Sequence, residues 1–183
     1  MRVLCIDPAL RNTGYAVVEA LPPLPQGQRR TISGPGEAGI RTLAYGVIRN
    51  HAKILQSGCL VAIRSALQEI IREFGPTTCA MESVIFVQNN RTAIVLGAAR
   101  GAAMMAAAEA GLDVYEYPPR RVKQAVVGRG AADKQQVAFM VRALLGLKET
   151  PLPDAADALA IGITHIQAVR SPVKSSLGNG RKI

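Results

Sequence analysis

Two neighbouring stretches decide the fold: Val3-Leu4-Cys5-Ile6-Asp7-Pro8 and Thr13-Gly14-Tyr15-Ala16-Val17-Val18-Glu19. Each is a short run dominated by apolar residues, and the residues between them carry the polar Arg11 and Asn12, so the pair reads as two strands joined by a turn. A hairpin is expected, and its first strand ends on a carboxylate, Asp7. Residues 21–39 are crowded with Pro and Gly and lack apolar periodicity, which rules out a helix or a central strand and predicts an exposed, flexible insertion. Beyond it, residues 41–50 resume as a third strand. Leu60, Ile63, Leu67, Ile70, Ile71 and Phe74 fall at helical spacing and are stopped by Gly75-Pro76. Residues 78–83 and 113–117 read as two more strands, and residues 91–110 as an Ala-rich helix between them. Helical stretches follow at 121–127, 133–147 and 154–169. A hairpin followed by alternating helices and strands predicts an α/β fold, a mixed five-stranded sheet with helices on both faces. Residues 1–170 are expected to form one domain and residues 171–183, rich in Ser, Gly, Lys and Arg, a flexible basic tail.

The 183 residues are 49% hydrophobic and 19% charged, enough apolar material for a core and too little charge for a disordered chain. A formal charge of +9 and a pI near 10.0 concentrate polyanions, which makes nucleic acid the leading partner class. The plainer reading of that charge is a surface that only keeps the protein soluble. Cys5, Cys59 and Cys79 are odd in number and form no CxxC pair, as expected of a reduced compartment. The start MRVLCID lacks a signal-like apolar stretch, and Arg100 and Glu109 interrupt the Ala-rich run, so no bilayer-spanning segment is expected. A cytoplasmic protein follows from these readings.

The chemistry lies in four carboxylates. Asp7 sits where an apolar strand ends and Glu82 follows Cys79-Ala80-Met81 in another, and a lone buried charge must neutralise, pair or meet a cation. Taken singly, each reads more simply as a salt bridge or an exposed strand end. Asp154 and Asp157 are three apart at the start of a helix and therefore share a face. Asp154 reads equally well as an N-cap. Asp157, set among Ala, Leu and Ile, is harder to explain structurally. Hard oxygen donors suit Mg²⁺ or Mn²⁺, and no Cys/His cluster suggests zinc. Two divalent ions about 3.5–4 Å apart would offset the repulsion of four carboxylates and clamp a phosphodiester, which points to its hydrolysis. His165, eight residues after Asp157 on one helix, lies about 12 Å along the axis and reads as a core or surface residue. Neither a Ser-His-Asp pattern nor a phosphate-binding glycine loop occurs.

With these residues laid out, the chain resembles the RuvC family of Holliday-junction resolvases over most of its length. The resemblance is carried by Ile6-Asp7-Pro8 with Arg11 and Thr13-Gly14-Tyr15, and by Ala80-Met81-Glu82-Ser83-Val84 with Asn89. It continues through Leu96-Gly97-Ala98-Ala99-Arg100-Gly101, Arg121-Val122-Lys123-Gln124, Val126-Val127-Gly128 with Lys134, and Asp154-Ala155-Ala156-Asp157-Ala158-Leu159-Ala160. It implies an RNase H-like fold, a homodimer and two-metal cleavage of four-way DNA junctions, with two Mg²⁺ per site for which Mn²⁺ can substitute. Asp7, Glu82, Asp154 and Asp157 fall on the family's catalytic, metal-binding carboxylates, and Lys123 and Lys134 on its basic residues near the site. Arg91 and Phe86 complete the candidate DNA-binding set, and a branch-migration helicase complex is a further partner. Ala9 stands where the family usually has Gly, the 21–39 connection is longer than usual, and Ile85 rather than Phe86 occupies the place of the family's junction-centre aromatic.

The expected function is a structure-selective DNA endonuclease acting in recombination and repair. A non-catalytic junction- or RNA-binding module, or a YqgF-like RNA nuclease, are the alternatives on the same fold. The Ala-rich helix, with Gly97 and Gly101 one turn apart, presents a nearly bare face that suits either packing on its own sheet or a two-fold contact near Leu96 and Met104.

Overall fold

The computed structural model describes residues 1–22, 39–83, 89–170 and 180–183. The hairpin forms as expected: β1 (Arg2–Asp7) pairs antiparallel with β2 (Asn12–Ala20), from Arg2 opposite Glu19 to Asp7 opposite Gly14. β3 (Ile40–Arg49) extends the meander antiparallel to β2. Helix α1 (Gln56–Phe74) then leads to β4 (Thr78–Glu82), which lies parallel to β1, and α2 (Asn90–Glu109) leads to β5 (Asp113–Tyr117), parallel to β4. Three helices follow: α3 (Pro119–Val127), α4 (Lys134–Leu145) and α5 (Pro153–Arg170).

The sheet has six strands in the order β3-β2-β1-β4-β5-β6, one more than the sequence predicts. The sixth, β6 (Arg181–Lys182), belongs to the expected flexible tail and pairs antiparallel with β5. Its residues carry no apolar signal. What places them is backbone pairing, including Ile183 N donating to Val114 O at 3.0 Å, and an ion pair between Lys182 and Asp113 at 2.8 Å. The rest of that tail, and most of the 21–39 insertion, lie outside the described residues.

Strand alternation divides the core into two layers. Leu4, Ile6, Cys79, Met81 and Val114 face α1 and α2. Val3, Cys5, Ala80 and Tyr117 face α3, α4 and α5. By the same alternation, Asp7 and Glu82 point to the α5 side. Nearly every α5 residue between Ala155 and Ile166 is buried, so this helix is apolar all round because it is enclosed. His165 sits in that core, with Nδ1 2.9 Å from the Tyr117 hydroxyl.

Candidate active site

The parallel pairing of β1 and β4 brings Ile6 opposite Met81 and therefore leaves Asp7 and Glu82 at adjacent strand ends. α5 starts over the same corner. Its second residue is Asp154, with Pro153 ahead of it and Ala156 N donating to Leu152 O at 2.8 Å. Asp154 thus lies inside the first turn, two positions too late to act as the N-cap, which is Leu152. One turn on, Asp157 accepts a hydrogen bond from Lys134 Nζ at 3.3 Å, and this lysine opens α4 directly after its N-cap Asp133, inside the Asp133–Gln136 capping box. The four carboxylates expected from the sequence are therefore brought to one corner of the sheet.

Burial and like charges are visible in the proton affinities of Asp7, Glu82 and Asp157. Burial, then the charges of Asp157 and Asp154, push the Asp7 carboxyl up from 3.8 to about 6 against the pull of Lys134. Burial, then Asp7 and Asp157, push Glu82 from 4.5 to about 7, opposed by Lys134 and Lys123. Burial raises Asp157 as well, with Lys134 countering it. The carboxylate Asp157, in turn, raises Lys134. Carboxylates held in this way outnumber their cations, and a divalent ion relieves that imbalance. The oxygen donors and the excess negative charge both fit Mg²⁺. Among the described residues, no three acidic, His or Cys groups stand close enough together to enclose one ion.

The remaining candidates divide. Lys123, on α3, is near enough for its charge to act on both Glu82 and Asp157. Arg91 is exposed in the first turn of α2, its backbone N–H bonded to the Asn89 cap at 2.8 Å, and no described contact links it to the carboxylates. Phe86 and Ile85 lie outside the described residues. At the position where the family usually has Gly, Ala9 fits without strain, since no described residue other than glycine has a positive φ.

Two supporting residues escaped the sequence reading as anything but parts of the motif. Arg11 Nη1 donates to His51 O at 2.7 Å and Ile54 O at 3.0 Å, tying the turn after Asp7 to the β3–α1 connection. Gly14, opposite Asp7, is where the first turn of α5 meets the sheet: a Cβ there would stand 2.0 Å from Asp154 O. A glycine inside a Val-rich strand is itself a signal of close backbone approach.

Such a centre suits a phosphodiester, whose charge is met by the cations that the carboxylates gather. The surrounding mixed sheet is RNase H-like, and the protein is a nuclease of that class. Residues 3–165 match the family described as "Crossover junction endodeoxyribonuclease RuvC". The protein of that name from Akkermansia muciniphila is 51% identical over 177 residues, covering 97% of this chain and 96% of the relative. Its namesake from Heliobacterium modesticaldum is 45% identical over 164 residues, 89% of this chain and 92% of the relative. The solved structure "T. thermophilus RuvC in complex with Holliday junction substrate" superposes with a TM-score of 0.80 at 34% identity, covering 100% of this chain and 99% of that one. The chain belongs to the RuvC family of crossover junction endodeoxyribonucleases, structure-selective enzymes that resolve Holliday junctions in recombination and repair. Members of the family typically depend on Mg²⁺. No helix among the described residues is long and apolar enough to cross a membrane.

Proposed function

We propose that Asp7, Glu82, Asp154 and Asp157 hold two Mg²⁺ ions, replaceable by Mn²⁺, and that this chain cuts four-way DNA junctions by hydrolysis at that centre. The observation that carries the proposal is the meeting of two strand-end carboxylates with two on α5, at a corner where three of the four have raised proton affinity. Bound Mg²⁺ supplies positive charge to the phosphate oxygens and activates a water. The protein's own part is orientation. β1 and β4 fix Asp7 and Glu82 on the sheet, and the enclosed α5 fixes Asp154 and Asp157 against them. Lys134 neutralises Asp157 until a phosphate approaches, then turns its charge to the phosphate, and Lys123 flanks the same corner. Arg91 and Phe86 extend the DNA-contacting set. Arg11 stiffens the turn that carries Asp7.

The assembly is a homodimer through the outer stripe of α2. Ile94 is 70% exposed and Met105 54%, and a methyl group added at Gly97 or Gly101 would meet no atom within 4 Å. This stripe faces away from the core; the alanines Ala99, Ala102, Ala103, Ala106 and Ala107 are buried in the cluster that α2 shares with α1 and the sheet. Met104, which the sequence puts at or beside the two-fold axis with Leu96, packs partly against the core, its sulfur 2.9 Å from Arg100 Nη1. A two-fold dimer presents two sites to the two symmetry-related strands of a junction. A branch-migration helicase complex, which moves such crossovers along DNA, is the fitting partner. The nuclease domain spans residues 1–170.

The deciding experiment compares cleavage of a four-way DNA junction with that of a structured RNA, with Mg²⁺ and with chelator, alongside sedimentation of the wild type and Gly101→Glu. Paired, Mg²⁺-dependent cuts in the DNA junction by a dimer are expected, with monomers and single nicks from the variant. Preferential RNA cleavage would favour a YqgF-like activity, and binding without cleavage a non-catalytic module.

A further inference from the structure

Gly14 has a role that neither its strand nor its loop neighbourhood explains. It is the third residue of β2, paired with Asp7, and a Cβ built there would come 2.0 Å from the carbonyl oxygen of Asp154 and 2.6 Å from its carbonyl carbon. Both contacts are to backbone, which cannot swing aside as a side chain can. Any side chain at position 14 must therefore lift the first turn of α5 or depress the strand. The helix has a second close approach at Gly162, where a Cβ would meet Cys5 Sγ at 2.8 Å and Val18 Cγ2 at 2.9 Å. Those neighbours are side chains, and they meet the helix more than a turn beyond Asp157.

We infer that Gly14 is a positioning residue for the metal centre: its missing side chain lets the backbone of Asp154 rest directly on the strand position opposite Asp7, and this seat sets the separation between the carboxylates of α5 and those of β1 and β4. Asp7 and Gly14 are directly opposed across the hairpin, so one paired position carries a ligand on one strand and the helix seat on the other. Metal sites depend on such support, because a carboxylate displaced by about 1 Å no longer shares an ion with its partners. The inference rests on the proposed metal centre.

The test is Mn²⁺ binding to the full chain without DNA, by titration calorimetry, with junction cleavage and thermal midpoint measured in parallel. Gly14→Ala is expected to bind Mn²⁺ about 10–100-fold more weakly. Gly162→Ala is expected to lower the thermal midpoint while keeping wild-type Mn²⁺ affinity. Asp154→Glu alone, which leaves the packing of Gly14 untouched, should weaken binding because the seat leaves no room for a longer arm. In the Gly14→Ala background the same change should recover part of the loss, since the longer arm spans the opened gap. Wild-type Mn²⁺ affinity in Gly14→Ala, or equal losses in Gly14→Ala and Gly162→Ala, would overturn the inference. Should Gly14→Ala not fold, undiminished affinity in Asp154→Glu overturns it instead. Asp7→Asn separates the two levels: if it too binds Mn²⁺ as the wild type does, the metal centre itself fails, whereas its loss beside an unaffected Gly14→Ala sinks only the role of Gly14.

Discussion

The two ends of the β1–β2 hairpin treat a carboxylate in opposite ways. At one end, Glu19 faces Arg2 across the pair and is bonded by both Arg2, at 3.0 Å, and Arg41. Hydrogen bonds from Arg2 and Arg41 hold its carboxyl below the ordinary range. At the other end, Asp7 faces a glycine, and burial together with neighbouring carboxylates lifts it to about 6. The same pairing geometry thus carries a satisfied charge at one end and an unsatisfied one at the other. Local structure accounts for the first. The second is a cost to the fold, and strained charge of this kind marks a site whose counter-charge arrives from outside.

The largest effect should come from relieving the strained end. Asp7→Asn removes one carboxylate of four, and cleavage of a junction in Mg²⁺ is expected to fall by orders of magnitude while junction binding persists. The metal-free variant should also be more stable than the wild type, on the order of 2 kcal/mol, because a neutral amide is cheaper to bury than a carboxylate and does not repel Asp157 and Asp154. Denaturant melts with chelator present read the second effect. A near wild-type rate, or a destabilised metal-free variant, would break the contrast between the two ends.

Next in size is the cation hydrogen-bonded inside the acidic corner. Lys134 lowers Asp7, Glu82 and Asp157 together, so Lys134→Ala should raise all three further and move the pH–rate profile to higher pH. Paired with Lys123→Ala, it should also flatten the salt dependence of junction binding, by roughly one unit of log–log slope for each phosphate no longer neutralised. An unchanged profile and an unchanged slope would reduce both lysines to solvated surface groups.

The contrast also explains what could be read in advance. Alternation and helical spacing made β1 to β5 and all five helices legible, because each buries an apolar face whose period is written in its own residues. β6 was not legible: Arg181 and Lys182 have no apolar partner to announce them, and only the exposed edge of β5 gives them a place. The carboxylates stood out because charges at the ends of apolar runs break the pattern. Asp154 was ambiguous because an N-cap and a first-turn residue lie within two positions of each other, and the helix starting at Pro153 decides between them. The outward face of α2 was obscure for the opposite reason. With alanine on every side, its pattern does not distinguish Met104, turned in on Arg100, from Met105, turned out.

The two ends should also give opposite pH slopes. For Asp7 and Glu82 the folded values, about 6 and about 7, lie above the ordinary 3.8 and 4.5, so the folded chain binds more protons between about 4 and 7. Their contribution to metal-free stability is present at low pH and is lost as pH rises through that window. His165 opposes them. Burial lowers it from 6.5 to about 4, so its contribution is lost as pH falls through that range. Asp7→Asn combined with Glu82→Gln should therefore leave the His165 slope opposed chiefly by Asp157, with stability falling more steeply on acidification below about 6.5 than in the wild type. Melts of the metal-free proteins across pH 4–8 test this, and a double variant that gains stability in acid would refute it.

The smallest effect belongs to the satisfied end. Glu19 is held below its ordinary value, so its contribution is present at neutral pH and is lost as pH falls through the folded value, the reverse of Asp7. Its partners, however, are exposed arginines, with Arg2 at 44% and Arg41 at 53% side-chain exposure, and water already solvates much of their charge. Exposed pairs of this kind add little and are screened by salt. Glu19→Gln should therefore lower the thermal midpoint only slightly at low salt, with the difference gone at about 1 M salt, and junction cleavage should be unaffected. A large loss that survives high salt would mean that this end, too, carries more than local pairing, and the division of the hairpin into a stabilising end and a reactive end would no longer stand.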